Sequence, residues 1–320
     1  MKEKILVTGS AGFIGSHLSK SLLDDGFEVC GIDNINDYYD PRLKLDRLEN
    51  LKTYENFSFK KVDISDQSKL SKCFKDFKPK KVVNLAAQAG VRYSIENPYA
   101  YAQSNLIGFL NIIELCRHND VEGLIYASSS SVYGGNKKIP FSIDDKTNKP
   151  LALYGATKRA NELIAHSYSH LYALNTTGLR YFTVYGPWGR PDMAMMIFAN
   201  KIVKGEKLPV FNNGNMKRDF TFIDDIIAGT KSAVNENYKC EVFNLGNNKS
   251  ERLMDMISLI EKELGQKAII DFQPMQPGDV KESFADIKYS QQKLNYIPYT
   301  SIDSGIPKLI NWFKEYYNHK

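Results

Sequence analysis

Two groups of residues in this chain have the types and spacing for proton chemistry. Tyr154-Gly155-Ala156-Thr157-Lys158 opens a stretch in which Ala160, Leu163, Ile164 and Ser167 recur with helical spacing. Residues four apart share one face of a helix, so the Lys158 ammonium can stand beside the Tyr154 phenol, depress its pKa and help hold a ribose. Upstream, the apolar run Gly123–Ala127 empties into Ser128-Ser129-Ser130-Ser131-Val132-Tyr133-Gly134. Four hydroxyls at the carboxyl end of a parallel strand lie in the crevice where such sheets bind ligands. A serine-rich surface loop is the plain alternative, and a tyrosine and lysine at this spacing are common by chance. Together with a third feature they become specific.

That feature is Lys4-Ile5-Leu6-Val7-Thr8-Gly9-Ser10-Ala11-Gly12-Phe13-Ile14-Gly15-Ser16-His17-Leu18, which reads as strand, phosphate loop and helix. Side chains at Gly9 and Gly12 would block a pyrophosphate from the backbone. Gly15 lets the helix pack close on the strand, and the helix N-terminus offers free N–H groups to phosphate. The first glycine gap is one residue longer than in the G-x-G-x-x-G dinucleotide fingerprint, so the triplet alone also fits a glycine-rich turn. The next strand, Glu28-Val29-Cys30-Gly31-Ile32, ends in Asp33. A carboxylate there can accept from both ribose hydroxyls and repels a 2′-phosphate, which favours NAD over NADP. Read without the glycines, Asp33 is a cap or a loop residue.

To position these groups the chain needs an α/β fold: a doubly wound parallel (Rossmann) sheet with a smaller α+β C-terminal lobe. Further strands are expected over Phe57–Ile64, Lys81–Ala87, Gly123–Ala127 and Leu179–Pro187, and Val242–Gly246 returns to the sheet. Asp63 fits a contact to adenine and equally a cap for a helix opening near Ser65. The small residues from Ala86 to Gly90 let a cofactor lie close, with Arg92, Tyr93 and Ser94 at the lip. Long helices are expected from Tyr99 to His118 and from Tyr154 onward. Regular alternation weakens after Gly186. Arg218–Phe222 reads as one short strand, Arg252–Leu264 as a helix, Ala268–Phe272 as a strand, and a C-terminal helix runs to Tyr317. Residues 1–185 with about 219–250 form the expected NAD-binding unit, and 186–218 with about 251–320 the smaller lobe.

The 320 residues, 42% hydrophobic and 25% charged, can bury a large core, and the net charge of +5 is spread without a basic block. That distribution argues neither for nucleic acid nor for a membrane surface, and is compatible with a small anionic substrate. Cys30, Cys73, Cys116 and Cys240 have no metal-like spacing and read as reduced thiols. His17, His118, His166, His170 and His319 show no ligand spacing either. No segment has the length of a signal h-region before the first strand, and no apolar stretch nears the roughly 18 residues of a membrane span, so the cytoplasm is expected.

Taken together, Gly9-x-x-Gly12-x-x-Gly15, the serine strand with Val132-Tyr133-Gly134, Tyr154-x-x-x-Lys158 and Arg218-Asp219-Phe220 resemble the extended short-chain dehydrogenase/reductase family over nearly the whole chain. Within it the chain is similar to nucleotide-sugar 4-epimerases, most of all those acting on UDP-glucuronate. Asn36-Asp37-Tyr38-Tyr39-Asp40-Pro41, Ala87–Ser94, Tyr181–Met193 and Gln276-Pro277-Gly278-Asp279-Val280 carry that likeness. Galactose epimerases usually have Asn where Thr183 stands and Arg where Gln276 stands. The 4,6-dehydratases carry Asp-Glu, and the decarboxylases Glu, before Val-Tyr-Gly; here Ser130 and Ser131 occupy those positions. Without that acid, elimination and decarboxylation lose a participant while hydride transfer does not.

The resemblance implies that Tyr154, with Ser129 and Lys158, moves a proton at the 4-hydroxyl of UDP-glucuronate, giving UDP-galacturonate through a 4-keto sugar. It implies cofactor contacts from Gly9, Gly12, Phe13, Ile14, Gly15, Asp33, Asn34, Asp63, Ile64, Leu85, Ala86, Ala87, Tyr154, Lys158 and Tyr181. For the substrate it implies Ser129, Ser130, Ser131 and Thr183, with Arg190 or Arg92 supplying charge, Arg218 on phosphate and Asp279 on a ribose hydroxyl; each of Arg190 and Arg92 alone reads equally as a structural ion pair. It also implies a homodimer through the helices near 99–118 and 154–171. The rival readings are a 4-epimerase of UDP-glucose or N-acetylated sugars, a dehydratase or keto-reductase, and a non-catalytic NAD-binding protein.

Overall fold

The computed structural model of the chain describes residues 2–275 and 280–319. Alternation along the first strands shows how the sheet is buried. In β1 (Lys4–Thr8), Ile5 and Val7 enter one apolar cluster while Leu6 enters another, so both faces are covered, as a parallel sheet requires. β2 (Glu28–Asp33), β3 (Phe57–Lys61), β4 (Lys81–Asn84), β5 (Gly123–Ser129) and β6 (Thr176–Tyr181) follow. After β6 the chain leaves the sheet through β7 (Thr183–Tyr185), β8 (Lys207–Phe211), β9 (Lys217–Arg218) and β10 (Phe220–Phe222), then returns as β11 (Cys240–Leu245). The seven-stranded sheet has the order β11-β6-β5-β4-β1-β2-β3, parallel throughout. Its order reverses between β1 and β4, and the crevice outside that point receives the glycine turn and the Leu85–Gly90 segment.

Outside the large sheet, β12 (Glu251–Arg252), β13 (Ile269–Gln273) and β14 (Glu282–Ser283) pair with the excursion: β12-β9-β14 form one small sheet and β13-β8 another. A helix at Lys288–Leu294, absent from the sequence expectation, precedes the C-terminal helix Ile302–Tyr317.

Several expected boundaries differ. β3 stops at Lys61, and the helix after it starts at Gln67 with Asp66 as its cap, accepting from the Lys69 N–H at 3.1 Å. Asp63 instead closes the preceding turn by accepting from the Ser65 N–H and holding Asn34. β4 stops at Asn84, whose side chain bonds the Thr8 hydroxyl at 2.6 Å. β6 begins at Thr176, earlier than expected. The expected strand Arg218–Phe222 breaks at Asp219, whose carboxylate turns inward to accept from Asn247, Asn248, Ala285 and Thr221.

The expected helix Tyr99–His118 is a short turn at Pro98–Tyr101, a π segment at Ala102–Ile107 and an α-helix at Gly108–His118. The wide turn has a local purpose. It buries Asn105, which binds both backbone groups of Gln88 (2.8 and 3.0 Å) and the Thr157 hydroxyl, tying the Leu85–Gly90 crevice segment to the helix Leu153–Tyr172.

That helix is set against the sheet by a buried network. Glu162, 4% exposed, accepts from Arg180 at 2.8 and 2.9 Å and from Ser128 Oγ at 2.6 Å. Arg180 also donates to Tyr133 Oη, which donates to Asn244 of β11. Glu162→Ala strands a buried guanidinium and should cost about 3–5 kcal/mol of stability, read as a lower urea midpoint. A loss under about 1 kcal/mol would mean that the pair does not set the helix.

Candidate active site

The glycine turn leaves no room for side chains. A Cβ on Gly15 would lie 2.0 Å from the Gly9 carbonyl oxygen, and one on Gly9, whose φ is +70°, would lie 2.8 Å from the Ala86 nitrogen. The turn and the β4 segment therefore close on each other with bare backbone, and the helix Phe13–Asp24 starts there uncapped by any side chain. Asp33 closes β2 with Oδ2 accepting from the Ala11 N–H at 3.2 Å and Oδ1 from the Ile35 N–H at 2.9 Å. Burial pushes this carboxyl up, against the pull of those N–H groups and of Lys44 and Arg47. Both basic side chains are spent on neutral acceptors, Lys44 on Asn36 and Arg47 on Ala11, Tyr39 and Trp188. A helix start open to phosphate and an acidic acceptor at the end of β2 fit NAD, and the structure brings Asn34 and Asp63 together beside them at 2.8 Å. Ile64 is buried in the core; the Ala86 N–H bonds the Thr8 hydroxyl. Tyr181 is different: its hydroxyl is engaged with Thr230 and its ring is buried, at the end of β6 between β5 and β11, so its side chain offers a cofactor no free donor.

On the opposite side of the crevice, Tyr154, Lys158 and Glu162 occupy one face of the helix Leu153–Tyr172. Lys158 is 3% exposed and donates to the Ala127 carbonyl of β5 at 2.8 Å. Burial lowers its pKa to about 8. The expected direct depression of the phenol by this ammonium is not what the geometry gives, since Nζ is turned to the Ala127 carbonyl. Burial pushes the Tyr154 phenol up, and the groups that draw it back are Ser129 and Arg190.

Ser128 and Ser129 belong to β5, and Ser130–Tyr133 form a 3₁₀ turn after it. Ser129 Oγ accepts from the Ser131 N–H and lies 3.2 Å from Ser131 Oγ, so the site serines are gathered at one strand end. Ser128 points the other way, onto Glu162. A neighbouring cleft is lined by Phe13, Thr183, Arg190 and Met193–Met196, and none of its lining residues is acidic. Arg190 is clamped by Asp192, Nε to Oδ1 at 3.0 Å and Nη2 to Oδ2 at 2.5 Å.

Arg92 is not part of this group. It is exposed, with its guanidinium over the Phe211 ring at 5.1 Å. Arg218 donates to the carbonyls of Lys217 and Lys281 on the small sheet. Asp279, with Gln276–Gly278, lies outside the described residues. Arg47 and Glu162 sit in no recognisable motif, and the motifs that contain Tyr38 and Asp192 carry no signal of their pairing.

The NAD-dependent epimerase/dehydratase family model matches residues 5–246. The chain belongs to this family. Family relatives share its full length: it is 50% identical to Protein CapI of Staphylococcus aureus, covering 98% of this chain and 99% of that one. It is 45% identical to UDP-glucuronate 4-epimerase 4 of Arabidopsis thaliana, over 98% of this chain and 76% of that protein. The structure of UDP-glucuronic acid 4-epimerase from Bacillus cereus in complex with UDP-glucuronic acid and NAD superposes with a TM-score of 0.93 at 37% identity, over 98% of this chain and 100% of that one.

The ratio kcat/KM reports groups of the free enzyme. Lys158 carries its charge below about pH 8 and loses it above, so kcat/KM should fall on the alkaline side with an apparent pKa near that value. A profile level to about pH 10, where an ordinary lysine titrates, would contradict the assignment of Lys158.

Proposed function

We propose that this protein is an NAD-dependent 4-epimerase that interconverts UDP-glucuronate and UDP-galacturonate. The observation that carries the reading is the make-up of the groups around Tyr154: Ser129 and Arg190 act on its phenol, Ser131 lies 3.2 Å from Ser129, Thr183 lines one cleft with Arg190, and Ser131 stands where a decarboxylase of the family carries Glu. NAD⁺, when bound, supplies the electron-pair acceptor at carbon 4 and returns the pair, so net redox change is zero.

Tyr154 takes the proton of the 4-hydroxyl and gives it back when the sugar has turned over. Ser129 hydrogen-bonds the same oxygen and steadies the phenolate. Lys158 holds the nicotinamide ribose. Gly9, Gly12, Phe13, Ile14 and Gly15 cradle the pyrophosphate, Asp33 and Asn34 take the adenine ribose, and Asp63, Ile64 and Leu85–Ala87 border the adenosine. Arg218 takes diphosphate, for which its forked donors suit two oxygens at once, and Asp279 a uridine ribose hydroxyl. Residues 1–185 with about 219–250 hold the cofactor, and 186–218 with about 251–320 cover the nucleotide sugar.

The keto intermediate is a β-keto acid. It loses carbon dioxide readily when the bond from carbon 5 to the carboxylate lies along the carbonyl π system, so the site must hold the carboxylate out of that alignment. Ser130, Ser131, Thr183 and Arg190 are the groups for this.

We also propose a homodimer. The helices Gly108–His118 and Leu153–Tyr172, with the π turn Ala102–Ile107 that leads into the first, leave Ile107, Leu110, Leu163 and Leu171 exposed, Leu171 by 65%. Cys30, Cys73, Cys116 and Cys240 are all free, which suits the reducing cytoplasm. Among the described residues no helix is long and apolar enough to cross a membrane.

On this reading kcat/KM for UDP-glucuronate exceeds that for UDP-glucose, which lacks the carboxylate, and parity or the reverse order would reject it. Light scattering should give twice the chain mass, and a monomer would reject the dimer.

A further inference from the structure

Two side chains of the segment after Asp33 reach the loop that carries Arg190. Arg47, on the helix Pro41–Lys52, is 2% exposed, yet among the described residues no carboxylate pairs with it. Its Nη1 donates to the Ala11 carbonyl at 3.0 Å and to Tyr39 Oη at 2.7 Å; its Nη2 donates to the Trp188 carbonyl at 2.6 Å and the Gly189 carbonyl at 3.3 Å. Nε has no partner. A buried, uncompensated guanidinium is costly, and here its donors join three separate segments: the glycine turn, the Tyr38–Tyr39 loop and the Trp188–Gly189 peptide.

The other end of the loop is held independently. Tyr38 Oη donates to Asp192 Oδ2 at 3.1 Å, and Asp192 in turn grips Arg190 through both oxygens. At the first anchor Trp188 has φ +61°, a conformation an L residue keeps only when its surroundings impose it. Its ring is seated against Trp312 and Tyr316, with centroids 5.4 and 5.2 Å away. Arg190 therefore sits in a loop fixed at both ends from the cofactor side of the molecule, through Ala11, whose N–H is bound by Asp33.

We propose that Tyr38 and Arg47 are positioning residues that hold the loop Trp188–Asp192, and through it the Arg190 guanidinium, in the pose that receives the substrate carboxylate. The inference rests on UDP-glucuronate being the substrate. It makes product partition a readout of alignment. When the carboxylate swings into line with the 4-keto group, the bond from carbon 5 breaks and carbon dioxide leaves. The electron pair forms the enolate between carbons 4 and 5, protonation at carbon 5 gives a UDP-4-keto-pentose, and return of the hydride to carbon 4 with a proton to its oxygen gives the UDP-pentose, so net redox change stays zero.

The test uses full-length wild-type, Tyr38→Phe and Arg47→Met proteins, with titration calorimetry for UDP-glucuronate and UDP-glucose and NMR of the products from UDP-glucuronate. Tyr38→Phe should melt with the wild type and bind UDP-glucose equally well. It should bind UDP-glucuronate about tenfold more weakly, as expected for a lost hydrogen bond to a charged group, and release a UDP-pentose product beside UDP-galacturonate. Arg47→Met should move both readouts further the same way. Because Tyr38→Phe removes one oxygen only, it decides the matter whatever Arg47→Met does to folding. Equal weakening of both ligands, or no weakening with UDP-galacturonate as sole product, overturns the proposal. Wild-type protein that leaves UDP-glucuronate unchanged overturns the substrate reading first, and the proposal with it.

Discussion

The ion pair between Arg180 and Glu162 is the contact on which the site's geometry depends. Glu162 lies two turns beyond Tyr154 and one beyond Lys158 on the same helical face, so fixing Glu162 against β6 and Ser128 of β5 fixes the other two. Lys158 adds its own bond to β5. A slip of the helix by one residue would turn the phenol away from Ser129 and leave two buried charges unpaired, which is far more costly than any local gain. The Tyr154 phenol is thus positioned by charges one and two turns away.

The cofactor side uses a different constraint, the close approach of backbones. Gly9, Gly15 and Ala86 leave no volume for side chains, so the turn and the β4 segment form a rigid floor. Asn105 extends that floor to the helix Leu153–Tyr172 through its bonds to Gln88 and Thr157. Arg47 extends it to the Trp188–Asp192 loop. The glycine turn, the Tyr154 helix and the Trp188–Asp192 loop are consequently parts of one packed unit, as the positioning of reacting groups demands.

Much of this was legible in the sequence. The glycine triplet, Asp33, the serine strand and Tyr154 with Lys158 each have a local signature, and the seven-stranded parallel sheet follows from where those signatures fall. What was not legible depends on contacts between distant segments. The π turn at Ala102–Ile107 has ordinary helical composition and exists because Asn105 is needed in the interior. Asp219 breaks a strand to gather four donors that lie 2 to 66 positions away. The phenol's environment also escaped, because tetrad spacing puts Lys158 beside Tyr154 but does not say that its Nζ is spent on Ala127. Arg47 and Tyr38 are invisible for the same reason: their partners Trp188 and Asp192 are more than 100 residues on.

The most direct measurement is proton NMR of the purified protein with UDP-glucuronate and no added cofactor, following the sugar signals over time. UDP-galacturonate should accumulate to an equilibrium mixture, with NAD retained from purification and no pentose signals. Unchanged signals, even after NAD⁺ is added, would contradict it, and pentose as the main product would show that serine and threonine donors with Arg190 do not protect the carboxylate.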